Sequence, residues 1–246
     1  DKIKQDKEAL SVTDTQYSFM TIKANGSETK VKLFYTISIM SNYVFVGLGN
    51  PGQEYEGTRH NTGRILLSII GKQYDAEWKE DKKLSAQVAK IKVGLPASAS
   101  RRQAGKSPVT LVLPDTFMNN SGKSIKPLIT SVKSAEKLVV VYDDLDMPFG
   151  SSKISFNKSS GGHRGLESII KAIKTEKFAR VRVGISPKTP TGKLKKPSGE
   201  DAVMKVIMGK FKPEEMLVLK KLSKKISEAL ETFVSSGLER AMTRFN

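Results

Sequence analysis

The stretch YVFVGLGNPGQEYEGTRHNTG, residues 43–63, is where the fold becomes legible. Tyr43 to Leu48 is a short apolar run, and Gly49, Asn50, Pro51 and Gly52 end it, the pattern of a buried strand running into a tight turn. A polar loop, Gln53 to His60, follows. From Asn61 onward Ile65, Leu66, Ile69 and Ile70 recur at helical spacing, so the loop delivers the chain into a helix.

The same alternation continues downstream. Residues 85–93 and 109–113 read as strands, the second a branched, apolar run. Residues 95–108, rich in Ala, Ser, Arg and Gly, read as a surface loop between them. Leu138 to Tyr142 is a further strand, expected to end in the acidic turn Asp143 to Pro148. A helix is predicted over 163–174, with Leu166, Ile169, Ile170 and Ile173 on one face, then a strand over 181–185 and a Pro/Gly-broken loop over 188–199 that holds four lysines. The last long helix starts at Pro213, a favourable first helical position, and runs through Leu219, Leu222, Ile226, Leu230 and Phe233. Strands alternating with helices indicate an α/β sheet covered on both faces, with sites beyond the strand ends.

Length and charge narrow the class of function. The 246 residues fit one α/β domain with extensions better than two domains. Lys and Arg total 42 against 25 acidic residues, a net charge of +17, which favours a polyanionic partner such as nucleic acid over a merely soluble basic protein. The first 39 residues carry six lysines and five acidic groups, so +16 of that charge belongs to residues 40–246. Cysteine is absent, which excludes disulfides, thiolate zinc sites and a cysteine nucleophile. No apolar run approaches membrane-spanning length, and the segment before Met40 has the form of neither a secretory signal nor an organelle address. It reads as a tail, an added strand or a segment ahead of the true start, with residues 40–246 as the compact domain.

Candidate chemistry gathers on the turns. Gly47, Gly49 and Gly52 satisfy Gly-x-Gly-x-x-Gly after a strand, with Asp75 downstream, so a dinucleotide site must be weighed. That fingerprint needs its third glycine to open a helix at the pyrophosphate, whereas Gly52 opens a polar loop, and no cofactor is assigned. His60 and His163 lie at loop-to-helix junctions beyond strands. A solvated histidine is the ordinary alternative, but a near-neutral pKa suits a general base if a carboxylate fixes the tautomer, and Asp143 is a plausible holder. Ser121 is the one serine on a comparable turn, and no Gly-x-Ser-x-Gly elbow occurs, so water is the better nucleophile. Asn50 and Asn119 offer neutral amides to a substrate carbonyl or oxyanion, against the plain reading of turn-forming asparagine. Asp143, Asp144 and Asp146 suggest a divalent cation but lack the longer ligand pattern, and no metal is assigned.

Taken together, residues 46–63, TFMNNSGK (116–123) and YDDLDMPFG (142–150) resemble the signature blocks of the bacterial-type peptidyl-tRNA hydrolase family. SGGHRGL (160–166), RVRVGI (180–185) and GLERAMTRFN (237–246) extend the likeness over residues 43–246. The resemblance implies a single-domain mixed α/β sheet and metal-free hydrolysis of the ester between peptide and tRNA, freeing tRNA from peptides released prematurely by the ribosome. It implies that His60 takes a proton from water, Asp143 holds His60 in its basic tautomer, and Asn119 orients the water or stabilises the oxyanion. Asn50 would distinguish a blocked amino group from a free ammonium, while Tyr55, Phe117 and Met118 line the cleft for the 3′ end and first peptide residues. Peptidyl-tRNA is the implied partner, a monomer the implied state, and the cytoplasm the expected location, with mitochondria the alternative.

Two positions depart from the family pattern. After the histidine of the Gly-Gly-His block the family has Asn, whereas Arg164 stands here, a donor-only cation suited to a phosphate contact. Arg182 matches the arginine that grips the tRNA 5′ phosphate, but Ser155 holds the place of its partner lysine, leaving Lys153 or Lys158 as substitutes. His163, Arg164 and Arg182 are therefore expected among the substrate contacts. An inactive relative serving as an RNA- or protein-binding scaffold is the competing reading, opposed by the joint presence of His60, Asp143, Asn50 and Asn119.

Overall fold

The computed structural model describes residues 16–24, 27–35, 43–94, 106–189, 191 and 193–246. The chain divides into two compact units, Asp1–Ser41 and Asn42–Asn246. In the first, β1 (Gln16–Ala24) pairs antiparallel with β2 (Ser27–Tyr35), Gln16 opposite Tyr35 and Ala24 opposite Ser27.

The second unit is built on a seven-stranded mixed sheet. Its strands are β3 (Tyr43–Gly47), β4 (Lys79–Asp81), β5 (Ala86–Val93), β6 (Ser107–Pro114), β7 (Leu138–Pro148), β8 (Ser152–Phe156) and β9 (Ala179–Ser186), in the order β4-β5-β6-β3-β7-β9-β8. The four central strands, β6, β3, β7 and β9, are parallel, and the outer pairings are antiparallel. The helices are α1 (Thr62–Gln73), α2 (Ser121–Ile125), α3 (Val132–Ala135), α4 (Arg164–Ile173), α5 (Glu200–Met208), α6 (Pro213–Ser236) and α7 (Leu238–Phe245). No helix among the described residues is long and apolar enough to cross a membrane.

Strand periodicity divides the core between the two faces. On β3, Phe45 joins Leu66, Leu67 and Ile70 of α1 and Leu219, Ile226 and Phe233 of α6. Val44 and Val46 point the other way, to Met118, Ile125 of α2, and Leu166 and Ile169 of α4. Each of these fully buried aliphatic side chains contributes about 1.5–3 kcal/mol of apolar burial. Gly63 matters for geometry, because a Cβ there would lie 2.1 Å from the carbonyl oxygen of Val141. Only glycine lets the start of α1 approach β7 so closely, and that approach carries His60 toward the strand of Asp143.

The sequence reading needs correction at several elements. β7 does not stop at Tyr142 but continues through the acidic stretch to Pro148, with Asp143 paired to Val183, Asp144 to Gly184, and a register shift before Pro148. A local turn signature yields here because β9 supplies partners for the extended backbone. Ser107 and Pro108 belong to β6, not to a loop; the remainder of the loop expected over 95–108 lies outside the described residues, except Lys106. β4, β8, α2, α3, α5 and α7 are further elements that periodicity did not indicate, most of them too short to show a period.

Candidate active site

Three chain segments converge beyond the carboxyl end of β3 and beside the middle of β7. After β3 the chain turns at Gly52, whose φ of 105° demands glycine, and passes through two short 3₁₀ turns, Gln53–Tyr55 and Arg59–Asn61, before α1 begins. Gly52 opens only a three-residue 3₁₀ turn and no α-helix that could face a pyrophosphate, which removes the dinucleotide reading. The second turn carries His60. β7 carries Asp143, and the N-cap of α4 is His163.

These three side chains meet. Asp143 is buried, and its carboxylate lies 3.2 and 3.0 Å from Nδ1 of His60 and 3.1 Å from Nε2 of His163. Nδ1 of His163 accepts the Leu166 N–H at 3.3 Å, so its proton resides on Nε2 and is donated to Asp143. Asp143 cannot donate when ionised, so Nδ1 of His60 must carry the proton directed at it. The lone pair of His60 is thereby left on Nε2, which has no hydrogen-bond partner among the described residues, while the side chain lines a cleft of about 930 Å³.

Electrostatics follow the same geometry. Burial alone would raise the Asp143 carboxyl, but the two imidazoles outweigh it and hold the group well below the usual carboxylate range. For His60, burial lowers and Arg164 opposes protonation, yet the Asp143 carboxylate prevails and raises the pKa above 6.5. His60, Asp143 and His163 are also a set whose ligand atoms could reach one metal ion. At N···O separations of 3.0–3.2 Å the three side chains are joined by hydrogen bonds. The acidic cluster likewise disperses: Asp144 pairs with Arg182 at 2.6 Å and Asp146 with Lys196.

The expected amides stand at the cleft. Oδ1 of Asn50 accepts the Met118 N–H at 2.7 Å, which leaves its NH₂ as the group offered to a ligand. Asn61 braces it, accepting the Asn50 N–H at 2.8 Å and donating to its carbonyl at 2.9 Å. Asn61 was missed as a site residue, and its place beside His60 in RHNTG was the available signal. Asn119 is exposed on the turn Met118–Asn120 and lines the cleft. Tyr55 and Phe117 form an edge-to-face pair, centroids 6.2 Å apart, and line it with Met118 and Arg164. Ser121 is wholly buried and donates to the Met118 carbonyl, so it cannot serve as a nucleophile.

Two further placements refine the reading. Arg182 lines the cleft but is already paired with Asp144 at 2.6 Å; Lys158 lines it, whereas Lys153 is exposed opposite Arg182 on β8. His163 lines the cleft as expected and is also the second hydrogen-bond partner of Asp143. The apolar wall made by Val203, Met204, Ile207 and Met208 of α5 was not anticipated, although these residues recur at helical spacing directly after the loop 188–199.

Comparison with known proteins agrees on one family. The family model described as peptidyl-tRNA hydrolase matches residues 44–246. The chain is 40% identical over 202 residues to a peptidyl-tRNA hydrolase of Aquifex aeolicus (strain VF5), covering 82% of this chain and 94% of the relative. It is 37% identical over 205 residues to one from Caldanaerobacter subterraneus subsp. tengcongensis, covering 83% and 99%. A crystal structure of peptidyl-tRNA hydrolase from Acinetobacter baumannii is similar with a TM-score of 0.67 at 26% identity, covering 84% of this chain and 95% of that one.

Proposed function

The chain belongs to the peptidyl-tRNA hydrolase family and hydrolyses the ester between peptide and tRNA, and from that premise we propose that His60 is its general base. The observation that carries this assignment is the pairing of His60 Nδ1 with buried Asp143, which leaves Nε2 as the lone pair at the cleft. Nε2 takes a proton as water attacks the ester carbonyl, and Asp143 stabilises the imidazolium that forms. The Asn119 amide donates to the oxyanion of the tetrahedral intermediate. On collapse the ester C–O bond breaks, and the imidazolium returns its proton to the departing ribose oxygen.

The fixed orientation of Asn50 supports a role in selecting blocked substrates. Its NH₂ meets the acyl carbonyl that a peptide places on the first amino group, whereas a free ammonium is itself a donor and finds no acceptor there. Tyr55, Phe117 and Met118 pack against the 3′ end and the first peptide residues, and His163, Arg164 and Arg182 face the tRNA side. We assign catalysis to residues 40–246, acting as a monomer without metal; Asn50, His60, Asn119 and Asp143 all lie in the unit Asn42–Asn246. The setting is the cytoplasm, with mitochondria the alternative. A purely scaffolding role has no need of the His60–Asp143 pairing.

Release of peptide from N-blocked aminoacyl-tRNA tests the assignment, with unblocked aminoacyl-tRNA as control. His60→Ala should lose roughly 10²–10⁴-fold in turnover while still binding tRNA. Undiminished turnover in that variant would remove His60 from the mechanism.

A further inference from the structure

The turn that carries His60 is tied down from the side away from the chemistry. Arg59 N–H donates to the Gly209 carbonyl at 2.9 Å, Phe211 N–H donates to the Gly57 carbonyl at 2.9 Å, and Thr58 bridges antiparallel to Lys210. The Arg59 guanidinium lies 4.8 Å from the ring centroid of Phe211 and 5.5 Å from that of Phe149. Its Nη2 donates to Oε1 of Glu215 at 2.7 Å. The other oxygen of Glu215 accepts the Lys212 N–H at 2.9 Å at the start of α6, so the carboxylate gripping Arg59 is itself anchored. Both partners are mostly buried, at 18% and 19% exposure, where a planar cation resting on two packed aromatic rings holds its geometry better than a surface ion pair. Phe149 directly follows β7, the strand of Asp143, and Arg59 is not among the residues lining the cleft.

We propose that Arg59 is a positioning residue for the hydrolysis, locking the backbone ahead of His60 to the end of β7 and the start of α6 so that Nδ1 stays on Asp143. The proposal rests on His60 being the base. Around the imidazole stand Asp143 from β7 and His163 and Arg164 from α4; Asp143 favours its protonated form and Arg164 disfavours it. If the turn loosens, the contact with Asp143 weakens and the imidazole gives up its proton more readily. A merely structural ion pair would leave that titration where it is.

The test uses the full chain with Arg59→Met, Arg59→Lys and Glu215→Gln. It measures kcat, KM and the pH profile of kcat/KM on N-blocked aminoacyl-tRNA, together with an NMR titration of the His60 imidazole without substrate. Arg59→Met should lower kcat roughly tenfold with KM within about twofold, since misplacement of a catalytic group acts on the transition state. Its acid limb and NMR midpoint should both move to lower pH. Arg59→Lys, which retains the charge for Glu215 but not the planar face on the rings, should recover part of kcat, and Glu215→Gln should fall between Arg59→Met and the unaltered chain. A lower melting temperature with kcat and the His60 midpoint unchanged would overturn the proposal, as would a rise in KM at constant kcat. Should Arg59→Met fail to fold, Glu215→Gln carries the same readouts, and the same results support or overturn the proposal. The NMR midpoint needs no turnover, so a wrong identification of the base appears separately, as turnover that survives in His60→Ala.

Discussion

Two charged side chains are buried on neighbouring strands and are held in opposite ways. Asp143 on β7 is gripped by two imidazole nitrogens at 3.0 and 3.1 Å. Arg180 on β9 is wholly buried, yet none of its three guanidinium nitrogens has a hydrogen-bond partner among the described residues, and its Cζ sits 4.3 Å from the ring centroid of Phe178. Ser155, directly opposite Arg180 across the β8–β9 ladder, has a buried hydroxyl that is likewise without a partner. Directional bonds are therefore concentrated on the charge beside the proposed base, while the other is accommodated by a ring face and the field of Glu176.

The most severe way to break this contrast is Asp143→Asn, which keeps the volume and removes the charge. The amide no longer imposes the tautomer that leaves Nε2 free, and turnover should fall roughly 10³–10⁴-fold, the scale seen when a base loses its orienting carboxylate. The residual activity carries a second signature. Asp143 raises the His60 pKa above its ordinary value, and only the neutral imidazole accepts a proton, so the unaltered protein should lose activity as pH falls through that raised midpoint. Without the carboxylate, burial and Arg164 both depress the pKa, and the acid limb of kcat/KM should move to lower pH. An unchanged limb would mean that another group sets it.

His163→Ala sharpens the comparison by removing one of the two bonds to Asp143. Loss of a hydrogen bond to a charged group, about 1.5–3 kcal/mol, corresponds to a kcat roughly 10–100-fold lower if it is felt in full at the transition state. The direction of the pH shift is diagnostic. With one donor gone, the Asp143 charge acts on His60 alone, so the acid limb should move to higher pH, opposite to Asp143→Asn. An unchanged limb in His163→Ala would show that His163 acts on the substrate and not through Asp143.

The same two strands show what the sequence could and could not reveal. β3 and the turn after it were readable because an apolar run ending in Gly-Asn-Pro-Gly has few other conformations. His60 and Asp143 could be paired because each follows a strand in a segment with no core character. The continuation of β7 through Asp143–Pro148 was hidden, since four polar or turn-forming residues adopt extended backbone only when β9 supplies hydrogen bonds. The double grip on Asp143 was hidden for a related reason: His163 reaches it through the N-cap of α4, a tertiary placement with no periodic signal. Arg180 had none either, because within RVRVGI it alternates like Arg182, and only the packing of Phe178 and β8 separates the buried arginine from the one at the cleft.

Arg180 is the place where that separation can be measured. A charge buried without hydrogen bonds opposes folding, and replacing buried ionic groups by apolar residues of similar volume is often neutral or stabilising by about 1–4 kcal/mol. Arg180→Met should therefore raise the urea midpoint at an unchanged m-value, with stability increased by about 1–2 kcal/mol, inside that range because the stack on Phe178 is lost with the charge. Turnover on blocked aminoacyl-tRNA should stay close to that of the unaltered chain, since Arg180 does not line the cleft. A fall in stability would reverse the contrast: the ring face and the field of Glu176 would then hold a charge on β9 as firmly as two imidazoles hold one on β7.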